Sequence, residues 1–118
     1  MVYTVLIVDD EFLIRKGMRQ FLDWEQYGFT IIGEVANGLE ALKFAKTNQV
    51  DLMITDIRMP GLDGLELVEK LHENNLYPYV TILSGYGEFE YARTGASTAV
   101  IHFARYALAL VPFIALMV

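Results

Sequence analysis

The sequence predicts an α/β domain, a doubly wound parallel sheet with helices on both faces, and three observations carry that expectation. Short β-rich apolar runs alternate with segments of helical periodicity, giving the order β-α-β-α-β-α-β-α-β. Alternation of this kind implies parallel strands joined by right-handed crossovers. The runs Val5-Leu6-Ile7-Val8 and Leu52-Met53-Ile54 are continuously apolar, as strands covered on both faces are. Both lead directly into acidic residues, at Asp9-Asp10 and, after Thr55, at Asp56.

Residues 3–8 form the first strand. Ile14, Met18, Phe21 and Leu22 then recur at helical spacing, with Arg15, Lys16 and Arg19 off that stripe, so an amphipathic helix follows, capped by Asp10 or its neighbour. Residues 24–29 read as a loop with aromatic plugs, broken at Gly28. The second strand is placed at residues 30–36, Asn37-Gly38 is a turn and helix start, and the second helix covers 39–46. The third strand runs from 50 to 55. The loop beyond it continues to Asp63, a good N-cap for a helix over 64–72, with Leu65, Val68 and Leu71 inward and Glu66, Glu69 and Lys70 outward. A turn at 74–78 leads to a fourth strand at 79–83, which ends at Ser84-Gly85. A fourth helix starts over 88–93. Residues 94–98 have poor helix propensity, 99–104 suit a fifth strand, and 106–117 suit a final apolar helix or strand. No internal repeat or low-complexity linker interrupts the chain.

The 118 residues suit one domain with a real core. Fifteen acidic against nine basic residues leave a net charge of −6, which argues against binding a phosphate backbone directly. The absence of cysteine excludes disulfides, thiolate chemistry and cysteine–zinc sites. The amino-terminal residues lack the basic segment and long apolar stretch of a secretion signal, so a cytoplasmic protein is expected.

In doubly wound sheets, ligands bind beyond the carboxyl ends of the strands, where the strand order reverses. Strands one and three should flank that point and bring Asp9, Asp10 and Asp56 within a few ångströms. A lone aspartate after a strand is usually a cap or turn residue; a pair with a third in a matching place is a stronger signal. Like charges so close oppose folding unless a cation relieves them. Oxygen-only ligands suit Mg²⁺, which keeps several waters and leaves positions for phosphate oxygens. A carboxylate held there can act as a nucleophile on phosphorus. Ser84 adds a hydroxyl on the same edge, or is a simple turn serine before Gly85.

Residues 1 to about 93 resemble the receiver domain of two-component response regulators. The matching motifs are Ile7-Val8-Asp9-Asp10-Glu11, Thr55-Asp56-Ile57-Arg58-Met59-Pro60-Gly61-Leu62-Asp63-Gly64 and Leu83-Ser84-Gly85-Tyr86. The segment Gly87-Glu88-Phe89-Glu90-Tyr91-Ala92-Arg93 resembles a subfamily with helix-turn-helix DNA-binding output domains. The resemblance implies a five-stranded flavodoxin-like sheet of order 2-1-3-4-5. It implies that Asp56 is the phosphoacceptor, charged by a sensor histidine kinase. Asp10 and Asp56 would bind Mg²⁺ directly, Asp9 through water, and the backbone carbonyl of Arg58 would add a ligand. Ser84 would bond a phosphoryl oxygen and move on activation. Such a domain catalyses its own phosphorylation and slow dephosphorylation and is not a conventional enzyme. DNA would be reached only through an output domain, which this sequence does not contain.

The end of the chain departs from the pattern. The family's lysine, followed by proline, should fall near position 106, but the stretch is Phe103-Ala104-Arg105-Tyr106-Ala107. Phe103 stands where the family has its aromatic switch residue, and equally suits a core strand position. Arg105 is the weak candidate for the missing cation, since a planar guanidinium does not reproduce a lysine point charge. From residue 91 onward the only formal charges are Arg93 and Arg105, and 107–118 has none. That segment is too short for a membrane span, and Pro112 interrupts it. It reads as a face buried on another chain, a membrane-facing or aggregating tail, or an altered end of a receiver gene, with self-association as the physical consequence. His72 reads as solvated and His102 as a residue without partner ligands. Trp24, Tyr27 and Phe29 read as packing. Two further function classes stand beside the leading one: a receiver-fold scaffold with an impaired switch, and a phosphohydrolase with an aspartyl nucleophile. The last is disfavoured because Arg58 occupies the place of its general acid.

Overall fold

The computed structural model describes residues 2–82, and within them the parallel sheet has the order β2-β1-β3-β4. The strands are β1 (Tyr3–Val8), β2 (Phe29–Val35), β3 (Leu52–Thr55) and β4 (Tyr79–Ile82). The helices are α1 (Phe12–Phe21), α2 (Gly38–Thr47) and α3 (Gly64–Glu73), with a short 3₁₀ turn at Trp24–Tyr27. The expected fifth strand at 99–104 and last element at 106–117 lie outside the described residues. No described helix is long and apolar enough to cross a membrane.

The chain leaves β1 in one direction to form β2, then returns past β1 to form β3 and β4. Right-handed crossovers then put α1 on one face of the sheet and α2 and α3 on the other. Side chains alternate between those faces along each strand. Leu6, Val8, Met53 and Val80 pack with Ala41, Leu42, Ala45, Leu67, Val68 and Leu71 of α2 and α3. Val5, Ile7, Leu52 and Ile54 pack with Met18 of α1 and with Trp24. The continuous apolar runs are therefore the signature of a sheet with two covered faces. Each buried Leu, Ile or Val contributes roughly 1.5–3 kcal/mol.

Local chemistry sets the boundaries. Asn37 caps α2, its side chain accepting from the Glu40 N–H at 2.9 Å, while the Glu40 carboxylate accepts from Ala36 N–H. Asp63 and Glu66 form a capping box on α3, at 2.8 and 3.2 Å. The third strand starts at Leu52, two residues later than expected. Asp51 instead clasps Thr4, accepting from its backbone N–H at 2.8 Å and its hydroxyl at 3.2 Å.

Helix α1 departs from the expected stripe. Ile14 is 43% exposed, and the inward side runs through Arg15, Met18 and Leu22. Arg15 takes the inward place because its aliphatic stem covers apolar surface while its guanidinium finds polar partners at the sheet edge. Nor does Asp10 cap α1. The N-cap position is Glu11, whose side chain makes no capping bond.

Asp63→Ala should remove one half of the capping box and cost about 1 kcal/mol. Urea denaturation should show a lower midpoint with an unchanged slope.

Candidate functional site

The site is made where the β1–β3 ladder runs out. Val8 pairs with Thr55, and one further bond, from Asp56 N–H to the Val8 carbonyl at 3.2 Å, carries the pairing past the strand end. On the other side of β1, Asp9 N–H donates to the Val35 carbonyl at 3.1 Å. Backbone pairing thus fixes Asp9 and Asp56 on adjacent strands at the carboxyl edge. Asp9, Asp10 and Asp56 each bring a carboxylate oxygen within 4.8 Å of the other two. Asp9 is buried, Asp56 half-buried and Asp10 exposed, so the cluster opens to solvent on one side.

Asp9 Oδ1 accepts from the Glu11 N–H at 2.9 Å, and the Asp9 carbonyl accepts from Arg15 Nη1 at 2.6 Å. Burial pushes the Asp9 carboxyl above its ordinary pKa; the Glu11 N–H opposes that rise, while the charges of Asp10 and Glu11 add to it.

The loop after Asp56 folds back onto the core. Ile57 is fully buried and Met59 nearly so, while the Arg58 side chain between them is exposed. Gly61 turns the chain at φ +80°, where an L side chain is strained. Gly64 N–H donates to the Ile57 carbonyl at 2.7 Å. A Cβ on Gly64 would stand 2.7 Å from the Asp56 carbonyl oxygen, so only glycine lets α3 start this close to the site.

The three expected carboxylates are therefore brought together, and Arg58 follows on the same loop. Ser84, Phe103 and Arg105 lie outside the described residues. The sequence reading missed Arg15, placing it off the inward face, and missed Glu34 on β2, which pairs with it at 3.5 Å. The only signal for Arg15 was its spacing, one helical turn past Glu11 at the end of the acidic run.

A family model for the response regulator receiver domain matches residues 5–103. The chain belongs to that family. The uncharacterized transcriptional regulatory protein YesN of Bacillus subtilis (strain 168) is 41% identical over 101 residues, 86% of this chain and 27% of YesN. The chain spans between 27% and 39% of the length of the first curated relatives it matches. Among solved structures, the REC domain of AraT, a response regulator from Geobacillus stearothermophilus, superposes with a TM-score of 0.72 at 30% identity, covering 96% of this chain and 98% of that one. A chain of the CheX–CheY–BeF3–Mg²⁺ complex from Borrelia burgdorferi superposes at 0.66 with 28% identity, covering 85% and 72%. The flavodoxin-like fold of receiver domains is the one the described strands build.

Burial makes the ionised Asp9 carboxylate a cost to the folded receiver domain. Its pKa is higher folded than unfolded. Its contribution to stability is therefore full below the unfolded-state pKa and is lost as pH rises through the folded one. Asp9→Asn should raise the melting temperature of the metal-free protein at neutral pH. The gap should close as pH falls below the ordinary carboxylate range. Thermal unfolding of both proteins across pH in chelator checks this.

Proposed function

We propose that this receiver domain binds Mg²⁺ at Asp9, Asp10 and Asp56 and accepts a phosphoryl group on Asp56 from a phosphohistidine of a sensor kinase. The observation that carries the reading is the convergence of three carboxylate oxygens within 4.8 Å at the carboxyl edge of β1 and β3. Opposed ligands on one octahedral Mg²⁺ stand about 4.2 Å apart. The donor set is all oxygen, which suits Mg²⁺; by resemblance to the family, Asp10 and Asp56 would bind directly and Asp9 through water. The Arg58 carbonyl is the proposed further ligand. When bound, Mg²⁺ offsets the carboxylate repulsion and stabilises charge on the transferring phosphoryl oxygens.

The chain's own groups supply nucleophile and position. A carboxylate oxygen of Asp56 would attack phosphorus; an O–P bond forms as the N–P bond breaks, and the imidazole nitrogen leaves with the electron pair. Half-burial of Asp56 leaves one side open for a donor to approach. Ser84 is proposed to bond a phosphoryl oxygen, with Phe103 as the aromatic switch and Arg105 in place of the family's lysine. The resulting change would be read by a DNA-binding output domain elsewhere in a longer protein, as the transcriptional-regulator name of YesN suggests. The protein would work in the cytoplasm. Self-association through residues 107–118 is part of the same proposal.

A second reading, a receiver-fold scaffold with an impaired switch, rests on the lysine and proline missing from residues 103–107. One experiment separates the two. Mg²⁺ and beryllofluoride are added and amide NMR shifts followed. Trp24 emission is a poor reporter: the indole stacks edge-on to Phe29 at 6.2 Å, and Phe29 pairs with Tyr3, six residues and about 20 Å of strand before Asp9. A switch should shift amides around Asp56 and beyond Ser84, and Asp56→Asn should abolish the beryllofluoride response. Shifts confined to the metal ligands would favour the scaffold. No response at millimolar Mg²⁺ would remove the phosphoacceptor reading.

A further inference from the structure

We infer that Arg15 is a positioning residue for the acidic site, holding the peptide unit that joins Asp9 to Asp10. The strand ladder fixes Asp9 through its N–H and Asp56 through its own, but Asp10 lies one residue beyond the last β1 bond. Arg15 Nη1 reaches back from the first turns of α1 and donates to the Asp9 carbonyl at 2.6 Å. That oxygen belongs to the Asp9–Asp10 peptide. Because the peptide is planar, holding the oxygen orients the whole unit and places the Asp10 Cα. The placement of Asp10 thus depends on a side-chain bond from α1.

The arginine is itself held on several sides. Its Nε lies 3.5 Å from Glu34 Oε1, its guanidinium carbon sits 5.7 Å from the Phe12 ring centre, and its side chain is 16% exposed. Glu34 faces α1 because of a bulge. Val5 pairs with Ile31 but Leu6 with Gly33, so Ile32 is the extra residue. Regular pairing would have turned Glu34 to the α2 face. The bulge instead sets Gly33 against Phe44 of α2 and Glu34 toward Arg15 and Arg19. Arg19 makes the shorter pair with Glu34, at 2.6 Å, and is 46% exposed. Arg19 ties α1 to β2, whereas Arg15 also reaches the β1–α1 link.

This inference rests on the Mg²⁺ reading above, and a Mg²⁺ titration of the full chain, followed by amide NMR at Asp56 and Gly64, tests both. Losing a partner outside the metal shell costs about tenfold in affinity at the low end, so Arg15→Ala should weaken Mg²⁺ by about that much. Charge alone predicts the opposite sign, because removing a cation near the site tightens a divalent ion. Arg19→Ala, which leaves the Asp9 carbonyl held, should stay within about twofold of wild type. Arg15→Lys keeps the charge and loses the fork, so its affinity should fall between wild type and Arg15→Ala. Should Arg15→Ala fail to fold, Arg15→Lys decides: weaker binding supports the inference and unchanged binding overturns it. Unchanged or tighter binding by a folded Arg15→Ala, or an equal loss in Arg19→Ala, also overturns it. A wild-type chain with no Mg²⁺ response overturns the metal site and the inference with it, whereas a responding wild type with an unaffected Arg15→Ala sinks the inference alone.

Discussion

The pairing of β1 with β3 is the constraint on which the rest of the described structure depends. It joins residues almost fifty positions apart and continues by one bond beyond the strands, from Asp56 N–H to the Val8 carbonyl. Without that bond nothing local to either segment would hold two carboxylates side by side. Their repulsion, and the burial of Asp9, work against the fold. The opposing term is the apolar surface directly behind the site. Leu6, Ile7, Val8, Met53 and Ile54 are at most 1% exposed, and they pack on two separate layers of helix. A sheet covered on one face only would have less to set against the acidic edge. The doubly wound architecture thus does more than present the site at a switch point; it supplies the burial that makes a strained cluster tolerable.

The two irregularities near the site act in the same direction. The bulge in β2 turns Glu34 to the α1 side, and Gly64 lets α3 begin against the Asp56 carbonyl. One brings the α1 arginines to the β1 edge; the other brings a capped helix start to the β3 edge. Each exchanges regular geometry for a closer approach of backbone to the carboxylates. The capping box of Asp63 and Glu66 secures the second approach, because it satisfies the amides that the early helix start would leave open.

What was legible in the sequence follows from which interactions are local. The apolar runs of β1 and β3, the Asn37 and Asp63 caps and the glycine-marked turns are coded by neighbours, and the structure has them within one or two residues of their expected places. The juxtaposition of Asp9, Asp10 and Asp56 was also legible, since parallel alternation forces strand ends with the same motif to one edge. The face of α1 was not. Hydrophobic spacing pointed to Ile14, while the inward place belongs to Arg15, whose partners are a carbonyl six residues back and a carboxylate on β2. The partner carboxylate is reached only through a bulge, and Ile31-Ile32-Gly33-Glu34 gives no sign of which residue is the extra one. Likewise Asp51 falls inside the expected third strand, and its clasp on Thr4 shows only once β1 is set beside it.

The distribution of these groups along the chain divides the chemistry from its transmission. Every carboxylate of the site, the loop that follows Asp56 and the arginine behind Asp9 fall between residues 9 and 64. The groups proposed to sense a phosphoryl oxygen, Ser84, Phe103 and Arg105, all come later, and the family match ends at residue 103, just short of where the family's lysine belongs. On the proposed reading, metal binding and phosphoryl acceptance would draw on the first set, whose three carboxylates converge. Signal propagation would draw on the second, in which the lysine position departs from the family while Ser84 and Phe103 match it. The two proposed functions could therefore be lost separately: a substitution behind Asp9 would act on the site itself, whereas the departures at 103–107 would act on what the site can transmit.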